Sequence, residues 1–337
     1  MPYFSVIVPT HNSARTLEDC LRGIRNSLYK DYELIVVDCG SHDATRTVAE
    51  RYADRIVALD HTANDGAARE AGIHQARGDV IVNVDSDAVV RNDTLSRIAH
   101  FFLSRKEATA VTGLLAKEHP HRGYFSQYKN LYMHYIFKKL PERIRFLYGS
   151  LFAFRRDAAQ YFDNDFSLTN DTAFGQRIAS SGSLIFFLRD VEVVHLKRHT
   201  LGSFIRNDFK IPFQWARVFL KYDGWRQLGK GGTGFAHASK GQLISVVLAP
   251  LIAALLIAGI GNGLMRGTGV FLWFVWLSLN YDFFAFLYRE KGISFSLMAA
   301  WVTFFDHCIM ASGVVCGVAH AIARGVRSPR GNLQEAS

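Results

Sequence analysis

The sequence predicts an α/β domain built on a mainly parallel sheet, followed by interfacial helices and then by C-terminal transmembrane helices. Three observations carry this. In the front part, short apolar β-rich runs alternate with segments of helical spacing, the pattern of a parallel sheet covered on both faces. Further on, residues 241–265 and 267–281 hold no charged side chain, and residues 292–323 hold only Asp306; about 20 apolar residues suffice to cross a bilayer. The charge is also divided. Residues 1–195 hold 24 Lys+Arg and 24 Asp+Glu, whereas residues 196–337 hold 15 and 6, so the whole net charge of +9 lies in the C-terminal part.

Element by element, residues 5–9 (SVIVP) read as a strand. Thr10, Asn12 and Ser13 then offer N-caps to a helix over 16–27, with Leu17, Leu21 and Ile24 on one face. Residues 33–38 (ELIVVD) form a second buried strand, and Ser41 and Asp43 cap a helix over 44–52. A third strand spans 55–59, a helix 67–76, a turn 77–79 and a fourth strand 80–84 (VIVNV). The first basic residue is Arg15, so the N-terminus reads as a strand rather than as a signal peptide.

Segment 199–241 mixes aromatic and basic residues, as in FIRNDFKIPFQWARVFLKYDGW, and is expected to be a pair of amphipathic helices at the membrane interface. The stretch 229–234 lacks the order of a phosphate loop and reads as a linker. The apolar segments are flanked by Lys221, Arg226, Lys230 and Lys240 before and by Arg324, Arg327 and Arg330 after. Positive charge favours the cytoplasmic side, which puts both the front domain and the C-terminus inside. Three full crossings would place the C-terminus outside, so one segment is expected to be re-entrant or interfacial. The divisions are thus 1–200, 201–240, 241–323 and a basic cytoplasmic tail, 324–337.

With 49% apolar and 20% charged residues, the chain of 337 residues is neither disordered nor a disulfide scaffold. Cys20, Cys39, Cys308 and Cys316 form no metal-ligand spacing and are expected as reduced thiols.

In parallel sheets ligands bind beyond the carboxyl ends of the strands. The residues there are Thr10-His11-Asn12, Asp38 and Asp85-Ser86-Asp87. Two carboxylates two residues apart repel, which raises their pKa values. A divalent ion removes that cost, and hard oxygen ligands suit Mg²⁺ or Mn²⁺.

SVIVPTHN, ELIVVDCGSHDAT, AAREAGIHQARGD and VNVDSDA, in this order and spacing, resemble the family 2 nucleotide-sugar glycosyltransferases of the membrane-associated bacterial and archaeal type. The resemblance covers about residues 3–200 and implies the Rossmann-like GT-A fold. It implies that Pro9, Thr10, His11, Asn12 and Asp38 line the pocket for base and ribose, and that Arg69 approaches the base or diphosphate. Asp85 would sit near ribose and metal, with Asp87 ligating the metal. Leu147-Tyr148-Gly149-Ser150 resembles the glycine loop under the donor sugar. Asn170-Asp171 resembles the acidic motif that supplies the catalytic base, here Asp171, with Asn170 in place of the usual Glu. His195 resembles the histidine that closes the metal site, and Lys197, Arg198 and His199 would meet the diphosphate. Cys39 is a departure from the usual Asp or Asn. Gln214-Trp215-Ala216-Arg217 partly matches the QxxRW motif of processive synthases, but Val218 replaces the Trp.

The resemblance implies inverting sugar transfer from a nucleotide-diphosphate sugar. The membrane region implies a lipid-linked acceptor, such as a polyprenyl-diphosphate saccharide or a glycolipid. The expected cofactor is Mg²⁺ or Mn²⁺. The expected partners are donor, acceptor and membrane, without nucleic acid, and with homo-oligomerisation through the transmembrane helices left open. The expected location is the cytoplasmic membrane, with the catalytic domain inside. The competing readings are a polyprenyl-phosphate sugar synthase, a processive synthase and a non-catalytic nucleotide-sugar-binding protein.

Overall fold

The computed structural model describes residues 4–60, 64–162, 169–222 and 237–324. The stretch 229–234 and the basic tail beyond Arg324 fall outside these residues. The chain divides into two compact units at Arg198/His199.

The first unit is a nine-stranded sheet in the order β3-β2-β1-β4-β8-β6-β9-β5, with β7 also pairing β9. Its first half is β1 (Phe4–Thr10), β2 (Tyr32–Cys39), β3 (Arg55–Leu59) and β4 (Val80–Val84), all parallel. β1 and β4 are buried along their whole length. β-Branched side chains fit such a two-sided position because their stiff χ1 packs well on a pleated surface. Helices α1 (Leu17–Arg25), α2 (Thr45–Tyr52) and α3 (Asp65–Gln75) make the crossovers. α3 starts two residues earlier than the spacing predicts, because the Asn64 side chain accepts from the Ala67 N–H and caps it.

The second half of the sheet is mixed. β8 (Leu151–Arg155) pairs antiparallel with β4 and with β6 (Ala108–Leu115). β9 (Leu184–His195) lies parallel to β6 and antiparallel to β5 (Ala88–Val90), so His195 is the register partner of Ala88. The short β7 (Arg143–Ile144) also pairs β9. The remaining helices are α4 (Thr94–Ser104), α5 (Tyr124–Lys138) and α6 (Asn170–Ser180).

The second unit is helical: α7 (Leu201–Lys221), α8 (Lys240–Ala258), α9 (Gly263–Lys291) and α10 (Ile293–Ala323). The sequence suggested an interfacial helix pair; within the described residues there is one continuous 21-residue helix, α7, entered through a Thr200/Ser203 capping box. α8, α9 and α10 are each long and apolar enough to cross a membrane. Their packing uses buried aromatic and polar groups. Trp276 is fully buried against Ala249, Ile252 and Phe304, and its indole N–H donates to His307 Nδ1 at 3.1 Å.

α10 packs on α7 through Gly313 and Gly317. A Cβ on Gly313 would stand 2.4 Å from the Phe209 carbonyl oxygen, and one on Gly317 2.3 Å from that of Phe213. The matching four-residue steps on both helices mean that they run side by side in the same direction. Small residues four apart let helix backbones approach closely. Gly317→Val is therefore expected to destabilise the α7–α10 pair by about 1–3 kcal/mol, the usual cost of overpacking. The check is the thermal midpoint of the purified protein in detergent. An unchanged midpoint would show that α7 is not held by this contact.

Candidate active site

Three groups of side chains gather at the carboxyl ends of β1, β2 and β4. The first lies between β1 and β2. Thr10 and Asp38 are register partners, and both are buried. Asp38 Oδ1 accepts the Ser41 N–H at 3.2 Å, while the Thr10 hydroxyl is buried with no partner among the described residues. His11 donates from Nδ1 to the Cys39 carbonyl at 2.8 Å. Its Nε2 then accepts from Asn12 Nδ2 at 2.9 Å, which fixes the tautomer. Asn12 holds a left-handed backbone, φ 48°, and ties the β2 loop down by accepting the His42 N–H at 2.9 Å. Cys39 enters through its carbonyl; its side chain is buried in the sheet.

The second group centres on Arg69 of α3, which is buried. Its Nε donates to Asn83 Oδ1 at 3.1 Å, Nη1 to Asn170 Oδ1 and Nη2 to Asp85 Oδ1 at 2.7 Å. Asn83 passes the connection on, donating to the Gly149 carbonyl at 3.1 Å. The Gly149 N–H in turn donates to Asp171 Oδ2 at 2.6 Å. Gly149 is the point where these groups converge: a Cβ there would lie 3.2 Å from Arg69 Nη2, 3.2 Å from Asp171 Oδ2 and 3.3 Å from Asp85 Oδ2. Asp171 reaches this point because α6 packs directly on the backbone before the loop. A Cβ on Gly175 would stand 2.5 Å from Phe146 Cα.

Burial pushes the Asp171 carboxyl up to about 6, with Asp85 adding to the rise, against the pull of Arg69 and the N–H groups of Thr172 and Gly149. It is therefore ionised at neutral pH with more basicity than an exposed aspartate.

The third group joins Asp87 to the end of β9. His195 Nε2 lies 3.4 Å from Asp87 Oδ1, and the Leu196 N–H donates to the Asp87 carbonyl at 2.7 Å. The rise expected from carboxylate repulsion is not found at Asp87. Burial would raise it, but facing His195 and Lys197 outweigh burial and hold it down to about 2. Lys197 and Arg198 follow on the surface. Ser86 Oγ donates to Ser13 Oγ at 3.0 Å and links this strand end to the first group.

The site residues expected from the sequence lie in these groups or at their edge: Pro9 precedes Thr10 at the end of β1, Ser150 is buried next to Gly149, and Arg198 is exposed after β9. Arg69 differs from the expectation. Its guanidinium is buried and donates to Asn83, Asn170 and Asp85, with Nη2 also bordering Gly149. Asn83 was missed, although an Asn inside the buried run VIVNV was the available signal. Asp65, which opens α3 within electrostatic reach of Arg69, Asp85, Asp87 and Lys197, was also missed.

Among the described residues no three metal-ligating side chains converge. Asp87 and His195 form a two-residue donor pair. That pair fits a Mg²⁺- or Mn²⁺-like ion, which takes its other ligands from substrate phosphates and water.

A mixed sheet whose parallel half carries polar side chains at its carboxyl ends, with the Gly149 loop and the Asp171 carboxylate beside them, is the arrangement of a GT-A-like fold. Residues 5–162 match the family model described as glycosyl transferase family 2, so this domain is similar to that family. It is 25% identical over 225 residues to glycosyltransferase AglE of Haloferax volcanii, covering 63% of this chain and 72% of that protein. It is 28% identical to the putative teichuronic acid biosynthesis glycosyltransferase TuaG of Bacillus subtilis, over 33% of this chain and 46% of TuaG. With glycosyltransferase GlyG of Streptococcus pneumoniae the figures are 32% identity, 32% and 38%. The chain thus spans less than half the length of TuaG and of GlyG. Among solved structures, the mannosyltransferase PcManGT from Pyrobaculum calidifontis, in complex with GDP-Man and Mn²⁺, shares the fold: TM-score 0.55, 17% identity, 95% of this chain and 87% of that one.

Proposed function

We propose that the protein transfers a sugar, with inversion, from a nucleotide-diphosphate sugar to a hydroxyl of a lipid-linked acceptor. The observation that carries this is the position of Asp171: a carboxylate with raised basicity, held by the Gly149 N–H and beside Asp85. An attacking hydroxyl needs such a base, positioned and ionised at working pH.

The strand-end pocket of Thr10, His11, Asn12 and Asp38 takes the base and ribose. The Thr10 hydroxyl, buried without a partner among the described residues, suits a ligand hydrogen bond. Asp87 and His195 would hold the divalent ion, which neutralises charge on the leaving diphosphate when bound. Lys197 and Arg198 add cationic groups where that charge develops. Gly149 leaves room for the donor sugar, and Asp171 takes the proton as the acceptor oxygen attacks the anomeric carbon from the face opposite the leaving group. The long apolar helices α8, α9 and α10 support membrane association and a lipid-borne acceptor, and the Lys and Arg residues that flank them favour a catalytic unit on the cytoplasmic side.

Asp87→Asn tests the donor side. An amide is a far poorer ligand for Mg²⁺ or Mn²⁺ than a carboxylate. The variant is expected to stay folded and to lose the metal-dependent rise in thermal midpoint that a bound nucleotide sugar gives by mass action. A rise with the same metal dependence as the parent would remove Asp87 from the ion's ligands.

A further inference from the structure

β6 runs beside β9 as far as Leu115, the register partner of Val193, and the Ala116 N–H still donates to the Val193 carbonyl at 2.8 Å. The chain then enters the loop 116–123 that leads to α5, and β9 itself ends at His195. Two imidazoles of that loop take over where the strands part. His121 Nε2 stands 3.0 Å from the Leu196 carbonyl oxygen, and His119 Nε2 stands 3.2 Å from that of Lys197. A carbonyl oxygen only accepts, so both rings carry a proton on Nε2 and donate it. His119 Nδ1 accepts the His121 N–H at 3.2 Å, which fits that tautomer. The loop is held in turn by α5, through side chains three and four residues apart on one face. Gln127 donates to the His119 and His121 carbonyls at 3.2 and 2.6 Å. Asn130 donates to those of Ala116 and Lys117, both at 3.0 Å, and His134 Nδ1 to that of Leu115 at 2.7 Å.

We propose that His119 and His121 are positioning residues of the donor site, fixing the backbone just beyond β9 so that the His195 imidazole stays beside Asp87. This rests on the glycosyltransferase reading above and adds to it the side chains that keep its metal-binding pair together. His195 needs such support because it is the last residue of a ladder only three residues long, Ala88–Val90 against Val193–His195, and strand ends open at little cost. Leu196 is the point of control. Asp87 holds its N–H, at 2.7 Å, and His121 holds its carbonyl, so the residue next to His195 is gripped from two separate segments. Both imidazoles are half-buried. Water can therefore reach a carbonyl that loses its N–H partner, and the loss falls on position more than on stability.

The test uses the full chain in lipid nanodiscs. The double variant His119→Phe, His121→Phe keeps two rings and removes both N–H donors. Mn²⁺ binding is read by electron paramagnetic resonance with UDP and, separately, with GDP present. Hydrogen exchange of the peptide 192–198 is read without metal. The variant should bind Mn²⁺ about tenfold more weakly, the low end of the loss that follows when groups orienting metal ligands are removed. Exchange should quicken over 192–198 and stay parental over β1, β2 and β4. The single variant His121→Phe should show a smaller loss of the same kind, and His121→Gln, whose amide can donate, should recover it. Parental Mn²⁺ affinity in the Phe variants, unchanged exchange over 192–198, or equal losses in His121→Gln and His121→Phe would each overturn the proposal. The single variants carry the same test if the double variant does not fold. A parent that binds Mn²⁺ with neither nucleotide would refute the metal-dependent donor site of the glycosyltransferase reading, and the positioning role with it. A parent that binds Mn²⁺ no more tightly than the Phe variants would refute the positioning role alone.

Discussion

Asp171→Asn is expected to lower the sugar-transfer rate by about 10²–10⁴-fold, the usual contribution of a positioned general base. Both carboxylate oxygens are engaged in the parent. Oδ2 accepts the Gly149 N–H at 2.6 Å and Oδ1 the Thr172 N–H at 2.6 Å. The amide retains one oxygen for Gly149, so the loop keeps its anchor while basicity disappears. Donor affinity should change little, because the proposed nucleotide site at Thr10, His11, Asn12 and Asp38 and the Asp87–His195 pair are separate groups of side chains.

The pH profile supplies a second readout. With its carboxyl pushed up to about 6, Asp171 loses its charge as pH falls through 6, so the parental rate should fall in that window. The residual rate of Asp171→Asn should lack that step. A near-parental rate would mean that the nucleophile is already ionised, as a polyprenyl phosphate is, and would favour the synthase reading. A collapse of donor affinity would instead make Asp171 a support for the donor site.

Arg69→Ala is expected to have the largest effect on stability. Its guanidinium serves three oxygens on three segments, those of Asn83, Asp85 and Asn170. Removing one partner of a buried ion pair typically costs about 3–5 kcal/mol. The Asp85 side chain is 29% exposed and gains some hydration, so a loss near the low end, about 3 kcal/mol, is expected. For a domain of this size that lowers the midpoint of the first unit by roughly 6–12 °C. Arg69→Lys should recover little, since an ammonium cannot fork to three acceptors in fixed directions. The check is the melting curve of both variants, alongside donor binding below the transition. If Arg69 met the donor directly, as the sequence suggested, the Lys variant would melt like the parent and lose donor affinity. The bracing role predicts instead that the midpoint drops in both variants.

The parallel half of the sheet was legible because β1, β2 and β4 are nearly all apolar and buried, and their polar ends stand out against those runs. The mixed half was less so, since β8, β6 and β9 follow no alternating strand–helix order. The candidate site was legible as a list of residues but not as a network. Arg69 meets Asn170 across 101 positions of sequence, and spacing carries no signal over that distance. The same holds for Asp87. Its carboxylate neighbour Asp85 is visible in the sequence, but His195, which reverses the direction of its titration, comes from the far end of β9. The packing of the interfacial segment was not legible in its composition. Basic and aromatic residues suggest a surface helix, whereas the Gly313/Gly317 pair that seats α7 on α10 lies in a segment read only for its hydropathy.

The central claim is sugar transfer to a lipid acceptor, and one measurement tests it most directly. The full-length protein in nanodiscs is incubated with Mn²⁺, a panel of radiolabelled nucleotide sugars and a polyprenyl-linked saccharide, and label is counted in the organic phase. Label from one donor should enter the organic phase, with a new glycosidic bond of inverted configuration, and should fall at least about 10²-fold with Asp171→Asn. Label that stays in the aqueous phase for every donor, or equal transfer by the Asp171→Asn protein, would contradict it.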